Sequence, residues 1–579
     1  MKKKTVIGKE EIRAATEELM RWRRAREPFA ARVAQEEDWY RLRMMPKPRE
    51  NSEGERFAPT SAWLFNALMQ KHADLMENIP TAVCLPREER DEEDAKALSA
   101  ILPVVLERSS FERSYSDNMW QKLKHGVCAW GVFWNADLEN GLGDIDVRPV
   151  ELGHLYWQPG VRNLQDSRSV FVVERMEKAA LRARFPQFEG ENGEMLSHFF
   201  ATSEEGIDEV LVVDWYYKKR VRGGKTVLHY CKFAGDTVLF SSENEAAYQN
   251  GWYEHGMYPF VLDVLYPTED GCLGFGVIAL GKDPQAYIDR LDRNLLEYMD
   301  WATRVRYFCK KNTGVNEEEF CDLSRRIVEV EGDPDEERLR PIEVGAIDEL
   351  WLQLKNEKIR ELKETTANRD VLQGSPDTGV TAAAAIAALQ ESGNKCMRDI
   401  IAASYRAFVE VARLIVECVR QFYSEVRCFR IVGEADGNRY LYWSNERMVE
   451  QVEAPLPDDT PHTRAPIFDI DVRAEKQNAY TRNSYNEMLK DLYKMGVFHE
   501  ENAKAAMTLL SAMSFQGVEG VRARVAATLR NQESAAVAPT AKRSAKKAVS
   551  EHAPEDEVQR ARRLALRVTE EARERSEVL

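Results

Sequence analysis

The chain of 579 residues sets 81 Lys and Arg against 97 Asp and Glu, a formal net charge of −16; a protein that grips nucleic acid over its whole surface needs a basic footprint, and this balance argues against one. Apolar residues make up 44% and charged residues 31%, enough to fill folded cores and exclude wholesale disorder, and at about 150 residues per domain three or four structural units are expected. No run of about 18 apolar residues occurs, so no membrane-spanning helix is expected, and in MKKKTVIGKEEIRAATEELM charges stand where a signal peptide needs its apolar stretch.

In chain order, residues 9–45 read as a helix with Leu19, Trp22 and Phe29 among charges, stopping at Met45-Pro46-Lys47-Pro48. A second helix runs from Ser61 to Glu77 and a third from Glu92-Glu93-Asp94 toward Leu106, its acidic start suited to the helix dipole. Residues 110–125 read as a fourth. At Gly126 the texture changes: Val127–Trp134 is a continuous apolar run rich in aromatic and β-branched residues, the pattern of a buried strand. After a turn at Gly141–Asp144, strands are expected at Ile145–Val150, Ser169–Glu174, Glu209–Lys218, Val227–Phe233 and Asp236–Phe240, with a short helix near Glu177–Phe185. Residues 126–265 are therefore mainly β.

From Lys282, Ile288, Leu291, Leu295, Met299 and Ala302 recur every three or four residues, one apolar stripe on a helix of roughly 33 Å. A mixed segment, 304–348, separates it from a helix of matching length, Glu349–Asp370; two equal helices flanking a small insert suggest a stalk with a tip. The loop Gln373-Gly374-Ser375-Pro376-Asp377-Thr378-Gly379 is dense in breakers. A long helix from Thr381 to Tyr423 follows, roughly 65 Å if straight, with Ile386, Leu389, Met397, Ile401, Phe408, Ala412, Ile415, Val419 and Phe422 on one face and a kink expected at Gly393. Strands return at Cys428–Val432, Arg439–Trp443 and Ile467–Val472, then helices over 477–516, a linker over 531–556 and a terminal helix, 557–579, with a thin heptad seam. The fold class expected is α+β, mainly helical.

Signs of catalytic or metal chemistry are absent from the sequence. Gly223-Gly224-Lys225-Thr226 resembles the end of a P-loop, but Lys219 stands where the cradle needs its first glycine, and strands flank both sides; a hairpin turn is the expected structure. Gly271-Cys272-Leu273-Gly274-Phe275-Gly276 has the wrong spacing for a dinucleotide site and is expected as a flexible joint. None of the nine His shows ligand spacing. The nine Cys include no Cys-x-x-Cys pair and are expected as core thiols of a protein made in a reducing compartment. No catalytic residue, metal or cofactor is assigned.

The order of these parts resembles that of tailed-bacteriophage portal proteins. The local stretches that carry it are Ser61–Asn66 running to Asn78-Ile79-Pro80, the glycine-led strand pair Gly126–Trp134 and Gly143–Val150, Gln165-Asp166-Ser167-Arg168 before its strand, and Gln373-Gly374 with Gly379-Val380-Thr381-Ala382-Ala383 and Ala385-Ile386 entering the long helix. The resemblance spans roughly 55–475 and rests on the ordered set rather than on any one motif. It implies a portal fold whose wing is residues 1–281 with 424–475, whose stem is 282–303 and 349–370, and whose clip is 304–348. The tunnel loop would be 371–381, the long wing helix 382–423 and the crown 476–530, with 531–556 a flexible linker and 557–579 a possible barrel extension. It further implies a homo-oligomeric ring, usually of twelve copies, at one capsid vertex of the virion, made in the bacterial host cytoplasm. Double-stranded DNA would pass through it during packaging and ejection. The clip would dock the large terminase subunit and later head–tail adaptors, with the major capsid or scaffold protein as a further partner and no membrane.

The residues expected at those sites are Gln373, Gly374, Ser375, Pro376, Asp377, Thr378 and Gly379 for the tunnel loop, and Lys310, Lys311, Glu317, Glu318, Glu319, Arg325 and Arg326 for clip docking. The alternatives are a nucleotide-dependent DNA-handling enzyme built on Lys225, or another virion component, an adaptor or scaffold; the long β region disfavours both of the latter.

Overall fold

The computed structural model describes residues 6–44, 60–188, 199, 209–220, 224–269, 271–303, 307–309, 318, 339–341, 349–368, 395–433, 437–449, 451–453 and 462–474, with residues 491, 494, 507 and 525. The chain divides into two compact units, Met1–Ala474 and Glu475–Leu579. In the second, the four described residues, Asp491, Lys494, Met507 and Val525, are helical.

The first unit mixes helix and strand. It opens with α1 (Lys9–Tyr40), α2 (Trp63–Met76), β1 (Pro80–Pro86), α3 (Glu92–Arg108) and α4 (Phe111–His125). Next come β2 (Val127–Asn135), β3 (Asp144–Val150), β4 (Leu155–Trp157), β5 (Ser169–Glu177), α5 (Lys178–Arg184), β6 (Glu209–Arg220), β7 (Thr226–Ala234) and β8 (Thr237–Ser241). After β9 (Phe260–Val264), β10 (Tyr266–Pro267) and β11 (Gly274–Phe275) comes α6 (Val277–Thr303), then β12 (Tyr307–Cys309), β13 (Leu339–Pro341) and α7 (Glu349–Thr365). The last elements are α8 (Lys395–Phe422), β14 (Arg427–Gly433), β15 (Gly437–Trp443), β16 (Gln451–Glu453), β17 (His462–Arg464) and β18 (Phe468–Ala474).

The apolar run of β2 makes it the middle of a three-stranded sheet, β3-β2-β9, with α4 and α8 packed against it. Met397, Phe408, Ala412, Ile415 and Val419 of α8 are buried in the core shared with α3, α4 and this sheet, so the described part of the expected stripe faces inward. A five-stranded antiparallel meander, β4-β5-β6-β7-β8, forms a second layer. Its alternating residues Phe171, Val173, Leu211, Val213, Cys231 and Phe233 meet Ile12, Ala15, Leu19 and Trp22 of α1, with Trp22 edge-on to Phe171 at 5.4 Å. The other end of α1 docks on the end of α4, where Lys124 Nζ lies 2.7 Å from Glu37 and His125 Nδ1 2.9 Å from Glu36.

Buried polar groups fasten these layers. Lys122 of α4 donates to Asp263 of β9 at 2.6 Å and to Ser404 Oγ of α8 at 2.7 Å, with both charges wholly enclosed. Asp144, at the start of β3, accepts from Tyr423 Oη at 2.5 Å and from Arg108 of α3 at 3.0 Å. Each cluster joins segments far apart in sequence, so each fixes register as well as position.

Three expectations change. The segment Gly271–Gly276 is a close-packed junction rather than a flexible joint, because β11 pairs with β10 and a Cβ on Gly276 would lie 2.3 Å from the Lys124 carbonyl oxygen. The helix that follows starts at Val277, not at Lys282, and its 27 residues exceed the 17 of Glu349–Thr365, which stops short of Asp370, so the two helices are not of matching length. Cys84, Cys128, Cys231, Cys272 and Cys418 are buried as expected, but Cys428 is exposed, since it alternates onto the outer face of β14 opposite Tyr442. Burial pushes the Cys272 thiol to about 11 and those of Cys84 and Cys231 to about 12, so these stay protonated.

Gly126 ends α4 in the left-handed region, φ +80°, and an added Cβ would sit 2.1 Å from the Phe275 carbonyl carbon. Gly126→Ala is therefore expected to cost about 2–6 kcal/mol from backbone strain and overpacking together, read as a lower denaturant midpoint of the full chain.

Candidate assembly site

The helix pair α6 and α7 carries the features least explained by a lone chain. Their ends near the body are gripped by the first turn of α2. Asp289 of α6, buried, accepts from Ser61 N at 2.9 Å and Ser61 Oγ at 2.7 Å. Gln285, one turn earlier and also buried, accepts from Leu64 N at 3.1 Å and donates to the Ser61 carbonyl at 2.9 Å. Helix starts leave backbone N–H groups without intrahelical partners, and here a neighbouring helix satisfies them. The methyl group of Leu64 fits against Gly281, where a Cβ would approach to 2.5 Å, and Lys363 of α7 lies over the Trp63 ring at 5.5 Å. The start of α2 thus holds both helices at once.

Beyond this socket the pair is thin. Ile288 of α6 and Leu362 of α7 are buried, and Lys355 bridges to Asp292 at 2.5 Å. The apolar stripe predicted on α6 is present, but its cover fails with distance: Ile288 is 0% exposed and Met299 49%. On α7, Leu350 is 63% exposed, and Trp351, Leu352 and Leu354 are exposed as well. At about 100° per residue, Leu350 and Leu354 share one flank, Leu352 lies on the opposite flank, and Lys355 and Leu362 point between them toward α6. Only Glu349 and Gln353, one turn apart, give this stretch a polar side, and apolar helix faces are normally buried. The pair therefore has two separate apolar flanks, each needing cover.

Between the helices, the described strands β12 and β13 pair antiparallel with Tyr307 opposite Pro341. Of the predicted docking residues, Glu318 is helical and exposed; Lys310, Lys311, Glu317, Glu319, Arg325 and Arg326 lie outside the described residues, as do the whole tunnel-loop set Gln373–Gly379, the kink expected at Gly393 and the terminal helix 557–579. The described residues of the P-loop remnant, Gly224, Lys225 and Thr226, lead into a strand. Arg220 pairs with Thr226 across the β6–β7 hairpin, Gly224 takes φ +87°, and the strand β7 follows Lys225 where a phosphate cradle requires a helix.

A family model described as phage P22-like portal protein matches residues 73–573. The chain belongs to that family. No curated protein sequence matches the chain. Membership makes it a bacteriophage portal protein, a structural component of the virion capsid with a role in DNA packaging, and the family is not an enzymatic one. Among the described residues of this portal protein, no helix is long and apolar enough to cross a membrane.

The match leaves the socket and the flanks to be read from geometry. Gln285 and Asp289 were not singled out from sequence, and Ser61 was read only as a helix start, because a buried Gln or Asp on an amphipathic helix resembles any solvated residue until its partner, over 200 positions away, is known. The flank residues had a local signal: Leu350-Trp351-Leu352-Gln353-Leu354 sets apolar residues around every side but that of Glu349 and Gln353.

Further along α2, Asp74 is held up at about 6, chiefly by burial and then by Glu77, against the opposing pull of Lys71. A carboxyl raised in the fold binds its proton more tightly there than in the unfolded chain. Its ionisation therefore subtracts stability as pH rises from about 4 to 6, and the loss is complete above that window. Asp74→Asn is expected to stabilise the protein at pH 7.5 and to be neutral near pH 4, as measured by chemical unfolding at both values.

Proposed function

We propose that copies of this chain close into a ring by laying the two apolar flanks of the α6–α7 pair against their neighbours, forming the channel through which double-stranded DNA is packaged and ejected. The observation that carries it is the opposed exposure of Leu350 and Leu354 on one side of α7 and Leu352 on the other. Two unlike flanks on one chain are what a head-to-tail interface needs, and a head-to-tail interface that closes generates a ring. In this reading α6 and α7 are the stem, the insert they enclose is the clip, and the wing comprises residues up to α6 together with the strands after α8. The usual number of twelve copies is expected.

Charge fits a conduit. Each phosphate neutralised by Lys or Arg adds a salt-dependent binding term, so a chain of net charge −16 leaves DNA free to slide. The loop Gln373–Gly379, with Asp377 and no Lys or Arg, is proposed to face that DNA. Lys310, Lys311, Glu317, Glu318, Glu319, Arg325 and Arg326 would dock the large terminase subunit and then head–tail adaptors at the capsid vertex, with the capsid or scaffold protein meeting the ring elsewhere. The assembled protein belongs in the virion and is made in the host cytoplasm.

Native mass spectrometry of the full chain at several salt concentrations tests ring closure: a single high-order cyclic species is expected, and monomers or dimers throughout would contradict it. Within a ring, deleting Gln373–Gly379 is expected to block DNA packaging in a defined assay while assembly persists. A nucleotide-driven enzyme is disfavoured by the hairpin at Lys225, and purified protein is expected to turn over no ATP that depends on Lys225.

A further inference from the structure

A second uncovered surface lies away from the α6–α7 pair. Strand β9 is one of the two outer strands of the sheet β3-β2-β9. Its pairing with β2, continued by Pro259 accepting from Val132 N and by Leu265 N donating to the Gly126 carbonyl, turns the backbone groups of Val261 and Asp263 inward. In an antiparallel ladder the alternate residues point the other way, so the N–H and C=O of Leu262 and Val264 face outward. Among the described residues nothing pairs with them.

The beginning of this edge is already satisfied by a strand mimic. The Gln165 side chain accepts from Tyr258 N at 2.8 Å and donates to the Tyr258 carbonyl at 3.0 Å, then more weakly to Phe260 at 3.5 Å. Beyond Phe260 the mimicry stops. There a groove of about 620 Å³ opens along the edge, walled by α8 on one side and the 162–165 loop on the other. Leu164, Met257, Leu265 and Leu414 supply its apolar lining. On its rim, Glu410 is already paired with Arg413 at 3.1 Å. That leaves Arg162, Arg406 and Asp399 without an ion-pair partner among the described residues, two positive charges to one negative.

An exposed strand edge is a template for another strand, and proteins that use one take main-chain bonds for affinity and alternate side-chain pockets for selection. We propose that the β9 edge is a docking site for an extended peptide segment of a partner protein that alternates apolar with acidic residues, adding one strand beside Leu262 and Val264 and pairing its carboxylates with Arg162 and Arg406. The apolar residues of such a segment fall to one face and enter the lining, while the acidic ones meet the rim. The site uses none of the flank residues of α7.

A labelled seven-residue peptide alternating valine and glutamate is the probe, with its valine–lysine counterpart as control, titrated by fluorescence anisotropy against the full-length protein in its native assembly. The glutamate peptide is expected to bind at least ten-fold more tightly than the lysine peptide. Leu262→Pro removes one outward N–H without touching the β2 ladder, a substitution edge strands tolerate, and is expected to weaken binding at least ten-fold. Arg162→Ala/Arg406→Ala, which leaves the backbone untouched, is expected to do the same and covers the case in which the proline variant misfolds. Amide exchange supplies an independent reading: bound peptide should slow Leu262 and Val264 and leave Val261 and Asp263 unchanged. No binding, equal affinity for the two peptides, or full affinity in the double arginine variant would overturn the proposal.

Discussion

Lys122→Met is expected to lower the stability of the chain by about 3–5 kcal/mol, the range for breaking a buried ion pair from one side. The reason is the partner left behind. Asp263 is 1% exposed and takes its charge-assisted bond from Lys122 at 2.6 Å. Its surroundings are hostile to unpaired charge, for burial drives the nearby Cys128 thiol and Tyr115 hydroxyl well above their ordinary values. Ser404 also loses its donor, so α8 loses a tie to α4 along with the sheet. Removing both charges together, as Lys122→Met with Asp263→Leu, is expected to recover most of the loss, since the cost of enclosing two ions disappears with their attraction. Chemical unfolding followed by tryptophan fluorescence measures both. A single-variant loss below about 1 kcal/mol would mean that water reaches the pair.

A substitution on either flank of α7 is expected to stop assembly without unfolding the chain. Leu352→Arg places a charge on one flank, and Leu350→Arg with Leu354→Arg places charges on the other; each residue is already exposed in the single chain, so folding loses little. In a ring every copy uses both flanks, and each variant fails at every junction. Mixed together, the two variants retain one intact pair of surfaces between them, and head-to-tail geometry lets them associate once and no further. Sedimentation of the mixture is therefore expected to give a dimer, where either variant alone gives monomer. Rings from the Leu352→Arg protein would show that this flank is not at the junction.

What could be read from the sequence followed the distance over which each element finds its partner. The helices α1 to α4 and the meander strands β5 to β8 carry their signal within a dozen residues, as apolar period or turn chemistry, and they stand close to where the sequence puts them, whereas the three-residue β4 was not foreseen. β1 did not, because its seven residues pair with β18 nearly 400 positions later and prolines bound it at both ends. β9 was missed for a related reason: five residues between Pro259 and Leu265 look like a loop until β2 takes them as an edge. The glycines of 271–276 read as freedom from sequence, yet in the fold they are the residues small enough for α4, β10 and α6 to meet. Cys428 follows the same logic in reverse, since an apolar neighbourhood in sequence does not say which side of a two-stranded ribbon a residue takes. The socket of Ser61, Gln285 and Asp289 is the extreme case, in which three ordinary polar residues become a clasp only through tertiary contact.

The central claim is that unlike flanks on one chain close a ring, and electron microscopy of the purified full-length protein tests it most directly. Class averages are expected to show a closed ring with a central hole in the native protein and isolated particles in the Leu352→Arg variant. Isolated particles from the native protein across a range of salt, or unaltered rings from the variant, would contradict it.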